Sequence, residues 1–531
     1  MCYPIFVNTL DFSAPLSRYL PPLPGEVTQA WSNRIAPPAA WLLEPLAASP
    51  RLPVQLAASG IRVLATAGNP IIRFLLDLAA HPPGEADLRA ALSDLAIARK
   101  DDERLEIHLQ NLYQTHCAAC NQPVPAEFFT WDGKNGELLA KTYTCPACGD
   151  MGERPASDED RQQAARWSHA EGLHRSRALE RVAALDDPDR THAEEALRLY
   201  LPRAVYALGT VINRLDSIST SDERRRCLVA LILYALDQCN SLWPHGGERP
   251  RPRQLSLPGI FREYNAWQAL EKAVNFWIGF SPVAPDGVAH TLWPDEPPEN
   301  GGLVIYEGPL REAVAEPIDL PIAALAGIIP RPNQAFWTLS ALWAGWLWGR
   351  QAVAPFKAVL RRRRYDWQWH AEALRSLFNN LRQAAGERVP FHALVPELEP
   401  DFLSALILAA ATSGWQVDSF ETEKNAELAI ITFSQKKTSR KKPVPADVNF
   451  IRRVLRQALE KRAEPAEYLS LHASALLALA EKNHLIFGDE AVGNIRKLIH
   501  TALESDEFTD LEGRAHPETG RWALSKWQKM F

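Results

Sequence analysis

The chain has 531 residues, a formal net charge of −6, 46% hydrophobic residues and 17 tryptophans, with 41 prolines against 27 glycines. That length suggests about three domains, or one domain with large insertions, and the negative balance excludes a chain that coats nucleic acid by bulk charge while leaving room for a local basic groove. No stretch reaches the roughly 18 apolar residues of a membrane span, and the start MCYPIFVNTLDF lacks a basic region followed by a sustained apolar core, so a cytoplasmic globular protein with no membrane partner is expected.

The first forty residues carry Pro15, Pro21, Pro22, Pro24, Pro37 and Pro38 with little periodicity, as an extended lead-in would. Trp41 to Asp77 reads as a β-α-β unit. Its first strand, Trp41 to Leu43, runs into the loop Glu44 to Pro50, a helix carries Leu52, Leu56 and Ala57 on one face, and a second strand, Arg62 to Ala65, follows Gly60. A loop in that place lies at the carboxyl edge of a parallel sheet, where helix-terminal N–H groups admit a nucleotide-like ligand. An ordinary β-α-β unit without a cofactor fits the same residues.

Glu44-Pro45-Leu46 followed one strand later by Asn69-Pro70 resembles the cofactor loop of S-adenosylmethionine-dependent DNA amino-methyltransferases. The resemblance implies Glu44, Pro45, Ala47, Ser49 and Asn69 as cofactor-binding positions. Ala48 and Pro50 stand where that family has glycines, and Ala67 where an acid holds the ribose hydroxyls. Proline fixes φ and removes an N–H, so the backbone at Pro50 offers a ligand no donor.

Ala86 to Lys100 and Asp102 to Tyr113 read as surface helices. Cys117-Ala-Ala-Cys120 and Cys145-Pro-Ala-Cys148 then give the most specific chemical signal in the chain. Two Cys-x-x-Cys knuckles present four thiolates, the ligand set of structural zinc, and four protein ligands leave no open position for a reactive water. Phe128 to Trp131 and Leu138 to Thr144 read as strands around the turn Asp132 to Gly136, a hairpin that brings the knuckles together. A redox dithiol is the alternative. Lys134 and Lys141 are sparse, so a stapling role is expected rather than a DNA contact. Cys2, Cys227 and Cys239 are left over, the last two in an apolar helical stretch.

From Asp158 to about Trp277 the pattern is helical. Leu201, Val205, Leu208, Ile212 and Leu215 make one amphipathic helix with Pro202 in its first turn, Asp222 to Leu236 its buried neighbour, and Trp267 to Trp277 resumes the pattern after the Pro- and Arg-rich stretch 244–258. With the cysteine knuckles this is an insertion of about 160 residues, enough for a domain.

Gly301 to Leu310 is a strand running into a loop. It resembles the catalytic loop of the amino-methyltransferases, with Glu307, Gly308, Pro309 and Leu310 in its four places, and the resemblance implies Glu307 and Pro309 as catalytic residues. Only one proline of that pattern is kept and Leu310 offers no ring for stacking a base, so a plain strand-to-loop corner is the competing reading. Ala335 to Gly349 is apolar but short and carries Thr338 and Ser340, which fits a buried core helix. Arg361 to Arg364 beside Tyr365, Trp367 and Trp369 reads either as a phosphate grip or as a solvated helix end with salt bridges. Val389 to Val395 is a strand, Asp401 to Ser413 a helix, and Trp415 to Thr422 with Glu427 to Ser434 a hairpin that resembles the reversed final strand pair of methyltransferase domains.

Lys436, Lys437, Arg440, Lys441 and Lys442 form a basic linker. Beyond it, Asp447 to Arg462, Pro465 to Lys482 and Asp489 to Glu504 are helices, followed by a hairpin of Glu507 to Leu511 and Arg521 to Leu524, which is winged-helix order. The third helix carries only Arg496, Lys497 and His500, so packing or partner binding competes with groove reading.

In order of parts, residues 1 to 435 resemble the zinc-ribbon-containing adenine-specific DNA methylases. The expected fold is α/β, a Rossmann-like sheet in residues 1–115 and 281–435, split by a zinc ribbon at 116–150 and a helical insertion at 151–280. A basic linker at 436–446 and a winged-helix-like domain at 447–531 complete it. The resemblance implies S-adenosylmethionine as cofactor, DNA as partner, and protein partners in a defence or modification system. The altered loops make a non-catalytic or weakly catalytic DNA- or partner-binding component the expected function. An active adenine methyltransferase and a protein scaffold without a DNA role are the alternatives.

Overall fold

Eight strands form one mixed sheet in the unit made of residues 21–68, 288–332 and 364–531. The computed structural model describes residues 15–23, 31, 34–35, 39–246, 251–279, 287–315, 320–361, 366–423, 428–436, 442–513, 518 and 520–527. The strands are β1 (Trp41–Glu44), β2 (Arg62–Thr66), β3 (His290–Leu292), β4 (Leu303–Tyr306), β5 (Ile322–Ile328), β6 (Phe391–Pro396), β7 (Trp415–Glu423) and β8 (Leu428–Gln435). They lie in the order β3-β4-β2-β1-β5-β6-β8-β7. Neighbours from β3 through β6 are parallel, while β8 runs antiparallel to both β6 and β7.

The central strands are apolar almost throughout because a parallel sheet is covered on both faces. Alternate residues Leu43, Leu64, Val304, Leu325 and Ala393 join one buried cluster with the helices Trp367–Ala384 and Pro400–Thr412. Strand periodicity of two assigns Leu42, Val63 and Ile305, equally buried, to the opposite face. The chain turns into β2 at Gly60, whose φ of 85° needs the permissive residue.

The last part of this unit is three helices, Val448–Arg462, Tyr468–Glu481 and Ala491–Leu503, with strands Ala466–Glu467, Phe508–Asp510 and Arg521–Leu524 in a three-stranded antiparallel sheet. The helices and the closing hairpin fall where the sequence pattern put them, and the two-residue strand Ala466–Glu467 is additional. Their core is continuous with that of the large sheet through Pro400–Thr412, so 447–531 belongs to the sheet's unit instead of standing apart. Buried Ser404 Oγ lies 2.7 Å from His472 Nε2 across that contact, and burial pushes the imidazole down to about 3, keeping it neutral. Linker residues 437–441 lie outside the described residues.

The second unit comprises residues 1–20, 69–287 and 333–363. It unites what the sequence pattern divided at 115 and 150: the helices Pro70–Ala80 and Glu85–Ile97 group with the cysteine module and the insertion. The expected helix over Ala86 to Lys100 stops at Ile97, and Arg99–Lys100 pairs with Glu103–Arg104 as a two-stranded hairpin. Long helices fill the unit. Asp158–Glu180 starts on a Ser157/Asp160 capping box, and Pro202–Ser217 has proline at its first position and buries Val205, Leu208, Ile212 and Leu215. Asp222–Gln238 and Gln334–Trp348 are buried along most of their length, the latter as expected of a core helix. No helix among the described residues is long and apolar enough to cross a membrane.

Two polar clusters bind the cysteine module to the helices. Lys141, itself buried, lies 3.0 Å from Asp160 at the start of the capped helix and donates to Thr115 Oγ1 at 2.8 Å. Arg203 meets both oxygens of Glu263 at 2.8 and 2.6 Å.

Candidate functional site

Four sulfurs converge within 4.8 Å of one another, those of Cys117, Cys120, Cys145 and Cys148. Each pair sits in the turn of its own hairpin: Gln114–His116 with Pro123–Pro125, and Leu138–Thr144 with Met151–Pro155. The expected hairpin of Phe128–Asp132 with Leu138–Thr144 forms too, but the knuckles cap two other turns. Those turns are built alike. Cys117 N–H donates to Gln122 O and Asn121 N–H back to Cys117 O, and Cys145 N–H donates to Asp150 O and Gly149 N–H back to Cys145 O. Asn121 and Gly149 adopt φ of 58° and 76°, the left-handed step that lets each second cysteine face the first.

Thiolates around one tetrahedral ion at about 2.3 Å stand about 3.8 Å apart. Cys117 and Cys148 are 3.6 Å apart, Cys120 and Cys145 3.7 Å, so the cluster could hold a metal ion. Burial raises the Cys117 thiol, but the N–H groups of Cys120 and Ala119 and the Cys148 sulfur outweigh it and bring the group down to about 6. Tyr143 ties the knuckles together, accepting from Ala118 N–H at 2.7 Å and donating to Asp150 at 2.7 Å. Lys141 faces inward and is spent on Asp160, so it reaches no phosphate. Cys227 and Cys239 are buried apart from this cluster, and burial pushes the Cys227 thiol up to about 11.

A second candidate lies on the sheet edge. In an open α/β sheet the ligand crevice opens outside the carboxyl ends of the strands where the winding reverses. Here the chain runs outward from β1 through β2 to β3 at the edge, returns to β4 beside β2, then crosses to β5 on the other side of β1, so the strands to either side of the division between β1 and β5 are reached in opposite directions. The Glu44 loop follows one strand and Ile329-Pro330-Arg331-Pro332 the other. Glu44 is 1% exposed, and one carboxylate oxygen, Oε2, accepts from the Ala47 N–H. Oε1 lies where a Cβ on Gly327 of β5 would meet it at 2.8 Å, and it is buried without a hydrogen-bond partner among the described residues.

Thr66 Oγ1 closes the loop from β2 by donating to Pro45 O at 2.7 Å. Ala47 takes the left-handed conformation at φ 44°, while Pro50 opens the helix Arg51–Ala58 at φ −58°. Glu44, Pro45, Ala47 and Ser49 are all buried. Asn69 caps the helix Pro70–Ala80 by accepting from Ile71 N–H at 2.9 Å, its amide nitrogen buried and unpartnered.

Burial pushes Glu44 up to about 8 against the pull of the Ala47 and Leu46 N–H groups. A carboxyl raised in the folded chain contributes stability that is fully present below about pH 4.5 and is lost as pH rises through about 8. Glu44→Gln is therefore expected to melt higher than the wild type at pH 8.5 and to show a smaller loss between pH 5 and pH 8.5, since moving a carboxyl's titration by one pH unit is worth about 1.4 kcal/mol. Thermal melts at the two pH values measure it, and an unchanged difference would assign the pH dependence to other groups.

The expected catalytic residues stand elsewhere. Glu307 and Pro309 follow β4, which pairs with β2, so they flank the outer side of β2 rather than the reversal. Their loop does share the edge: a Cβ on Gly68 would meet Pro309 N at 3.1 Å. Glu307 is exposed, and Leu310 is buried at the head of the short helix Leu310–Ala313.

Sequence reasoning missed the other flank. Arg331, after β5, pairs with Glu399 at 2.5 Å, donates to Glu397 O at 3.3 Å and lies 5.3 Å from the Trp367 ring centroid. The signal was the strand AALAGII running straight into Pro-Arg-Pro.

The basic features resolve toward packing. Arg361 pairs with Asp189 at 2.7 Å, and 362–365 lie outside the described residues. On the third C-terminal helix Arg496 reaches Asp401 at 2.7 Å and His500 lies 3.4 Å from Glu518. That helix packs on Pro400–Thr412 and Trp367–Ala384, leaving Asn494, Lys497 and Thr501 exposed. Fold and sites together define an α/β chain with a mixed sheet and a four-cysteine cluster able to hold a metal ion. No protein-family model, curated protein or solved structure matches the chain.

Proposed function

We propose that this is a DNA-methylase-like protein, held together by a structural zinc ion on Cys117, Cys120, Cys145 and Cys148, that serves as a DNA- or partner-binding component with little or no methyl transfer of its own. The observation that carries the reading is the loop after β1, which is closed on itself apart from Glu44 Oε1. Its acid is buried and turned back on Ala47, its helix starts on a proline, and Arg331 across the reversal is bound to Glu399. A cofactor pocket needs those donors and acceptors facing outward. The kinship itself is supported by the reversed pair β7 and β8 at the end of the sheet. Three helices and a small sheet at the C-terminus support a winged-helix-like module.

An active S-adenosylmethionine-dependent methyltransferase is the second reading, favoured by a buried polar atom of the loop after β1 left without a partner among the described residues, Glu44 Oε1. Titration calorimetry with S-adenosylmethionine, paired with labelled-methyl transfer to DNA, separates the two. The expected result is no saturable micromolar binding and no transfer. Binding with transfer establishes the second reading, and Glu307→Ala then asks whether that loop does the chemistry. Gel shifts of DNA at low and high salt distinguish a DNA-binding component from a protein scaffold, because phosphate contacts weaken as salt rises.

A further inference from the structure

A cavity of about 770 Å³ opens inside the helical unit, away from the cysteine cluster. Its walls are the helices Asp158–Glu180 and Pro202–Ser217, closed by Lys100 on one side and by the turn after Gln334–Trp348 on the other. The volume is that of a small-molecule site, about 300–1,000 Å³.

Its charge is one-sided. Lys100, Arg177, Arg181, Arg214 and Arg350 line it, with Glu180 as the single carboxylate in the lining. Arg181 is spoken for: it bonds Asp216 at 2.7 Å and Trp346 O at 2.8 Å, which locks two walls together, and Lys100 leans on exposed Asp101 at 3.1 Å. Among the described residues Arg214 has only uncharged partners, Ser217 Oγ at 3.4 Å and the Arg99 carbonyl. Arg177 and Arg350 have no carboxylate partner among the described residues. Three guanidinium groups without a carboxylate partner among the described residues line one concavity, a lining whose charge suits an anion.

The remaining surface is rigid and partly apolar. Tyr206 is held by His108 Nε2 at 2.8 Å, with the rings of Trp167 and His174 against it at 4.9 and 4.8 Å. Trp346 is fixed by its Nε1 on Ala178 O at 3.0 Å. At Gly209, facing the same space, an added Cβ would meet nothing within 4 Å, so the helix is open to an occupant there.

We propose that this cavity binds a phosphate-bearing anion of nucleotide size, its phosphates held by Arg177, Arg214 and Arg350 and its apolar part set against Tyr206. The planar fork of arginine matches phosphate oxygens in pairs. The same chemistry is offered by a free nucleotide and by the backbone of a nucleic-acid strand.

ATP, inorganic pyrophosphate and a short single-stranded oligonucleotide are the probes, titrated calorimetrically at low salt against the full chain. Saturable binding of ATP or of the oligonucleotide is expected. Arg177→Glu with Arg350→Glu, both at exposed positions, weakens it at least about tenfold, the scale of one charged hydrogen bond. Gly209→Phe, which fills the space and leaves every charge in place, weakens it as well, with thermal melts confirming that each variant folds. ATP binding lost in these variants assigns the site to a free phosphorylated ligand, and oligonucleotide binding lost without ATP binding assigns it to a strand. The proposal is overturned if no probe binds at millimolar concentration, or if binding survives both variants unchanged. The variants exclude an adenosine lodged at the Glu44 loop, which neither touches.

Discussion

Cys145→Ser, or exhaustive chelation, is expected to dissolve the two cysteine hairpins and lower the melting temperature of the helical unit by many degrees. The four sulfurs are nearly all that the two knuckles have in common. Apart from Tyr143 and Asp150, each turn is short and the buried cluster around the knuckles holds only Cys117, Val124, Tyr143 and Cys145, with Cys120 packed beside it. A cluster that small gives the two knuckles little to hold them together once the ion is lost. Structural zinc supplies about 10–16 kcal/mol of apparent folding free energy in small metal-dependent modules. Because Lys141 and Thr115 anchor Asp160, the loss propagates into the capped start of Asp158–Glu180.

The checks are metal content, expected at one zinc per chain, and proteolysis or hydrogen exchange across 114–155 with and without chelator. Cys227→Ser, at a buried thiol outside the cluster, is the control and costs far less. A metal-free chain that keeps both hairpins protected would remove the ion from the account and return the redox reading of the dithiols to contention.

Arg203→Ala is the second large loss expected, about 3–5 kcal/mol, the usual cost of stranding one member of a buried ion pair. Arg203 and Glu263 are 2–3% exposed. The guanidinium also donates to Leu112 O at 3.2 Å and lies over the rings of Tyr113 and Phe129 at 4.7 and 4.5 Å, while Trp131 Nε1 shares a Glu263 oxygen at 2.9 Å. Removing the arginine strands the buried glutamate without its partner, and vacates the space between two rings. Replacing both partners by apolar residues, Arg203→Met with Glu263→Leu, is expected to recover most of the loss, since the desolvation cost goes with the pair. Urea unfolding of the two variants measures the difference. A single variant within about 1 kcal/mol of the wild type would mean that water reaches Glu263.

The elements were legible where periodicity and punctuation agree. Pro202 at a helix start, Gly60 before β2, and the three C-terminal helices with their hairpin all follow local rules. So does the four-cysteine cluster, whose ligands announce themselves by spacing. What sequence could not give is neighbourhood. The stretch Gly301 to Leu310 has the look of a loop-bearing strand wherever it pairs, and only the sheet order shows that it lies beside β2 while β5 takes the place beside β1. Arg331 was passed over for that reason. Arg361 and Arg496 are paired with acids, Asp189 and Asp401, that lie far away in the chain. Arg177, Arg214 and Arg350 are equally scattered, and no motif joins them.

The path of the chain sets an order of assembly. Val63 in β2 has to wait for Leu303 before its outer edge is covered, and Leu43 in β1 for Leu325, whereas the cysteine hairpins close within their own neighbourhood. On a ribosome the local module is complete while the first two strands of the sheet are still bare, exposing apolar edges prone to pairing with the wrong neighbour. Yield of soluble protein is then governed by how fast the later strands arrive, and a chain cut before residue 322 should aggregate even with its metal in place.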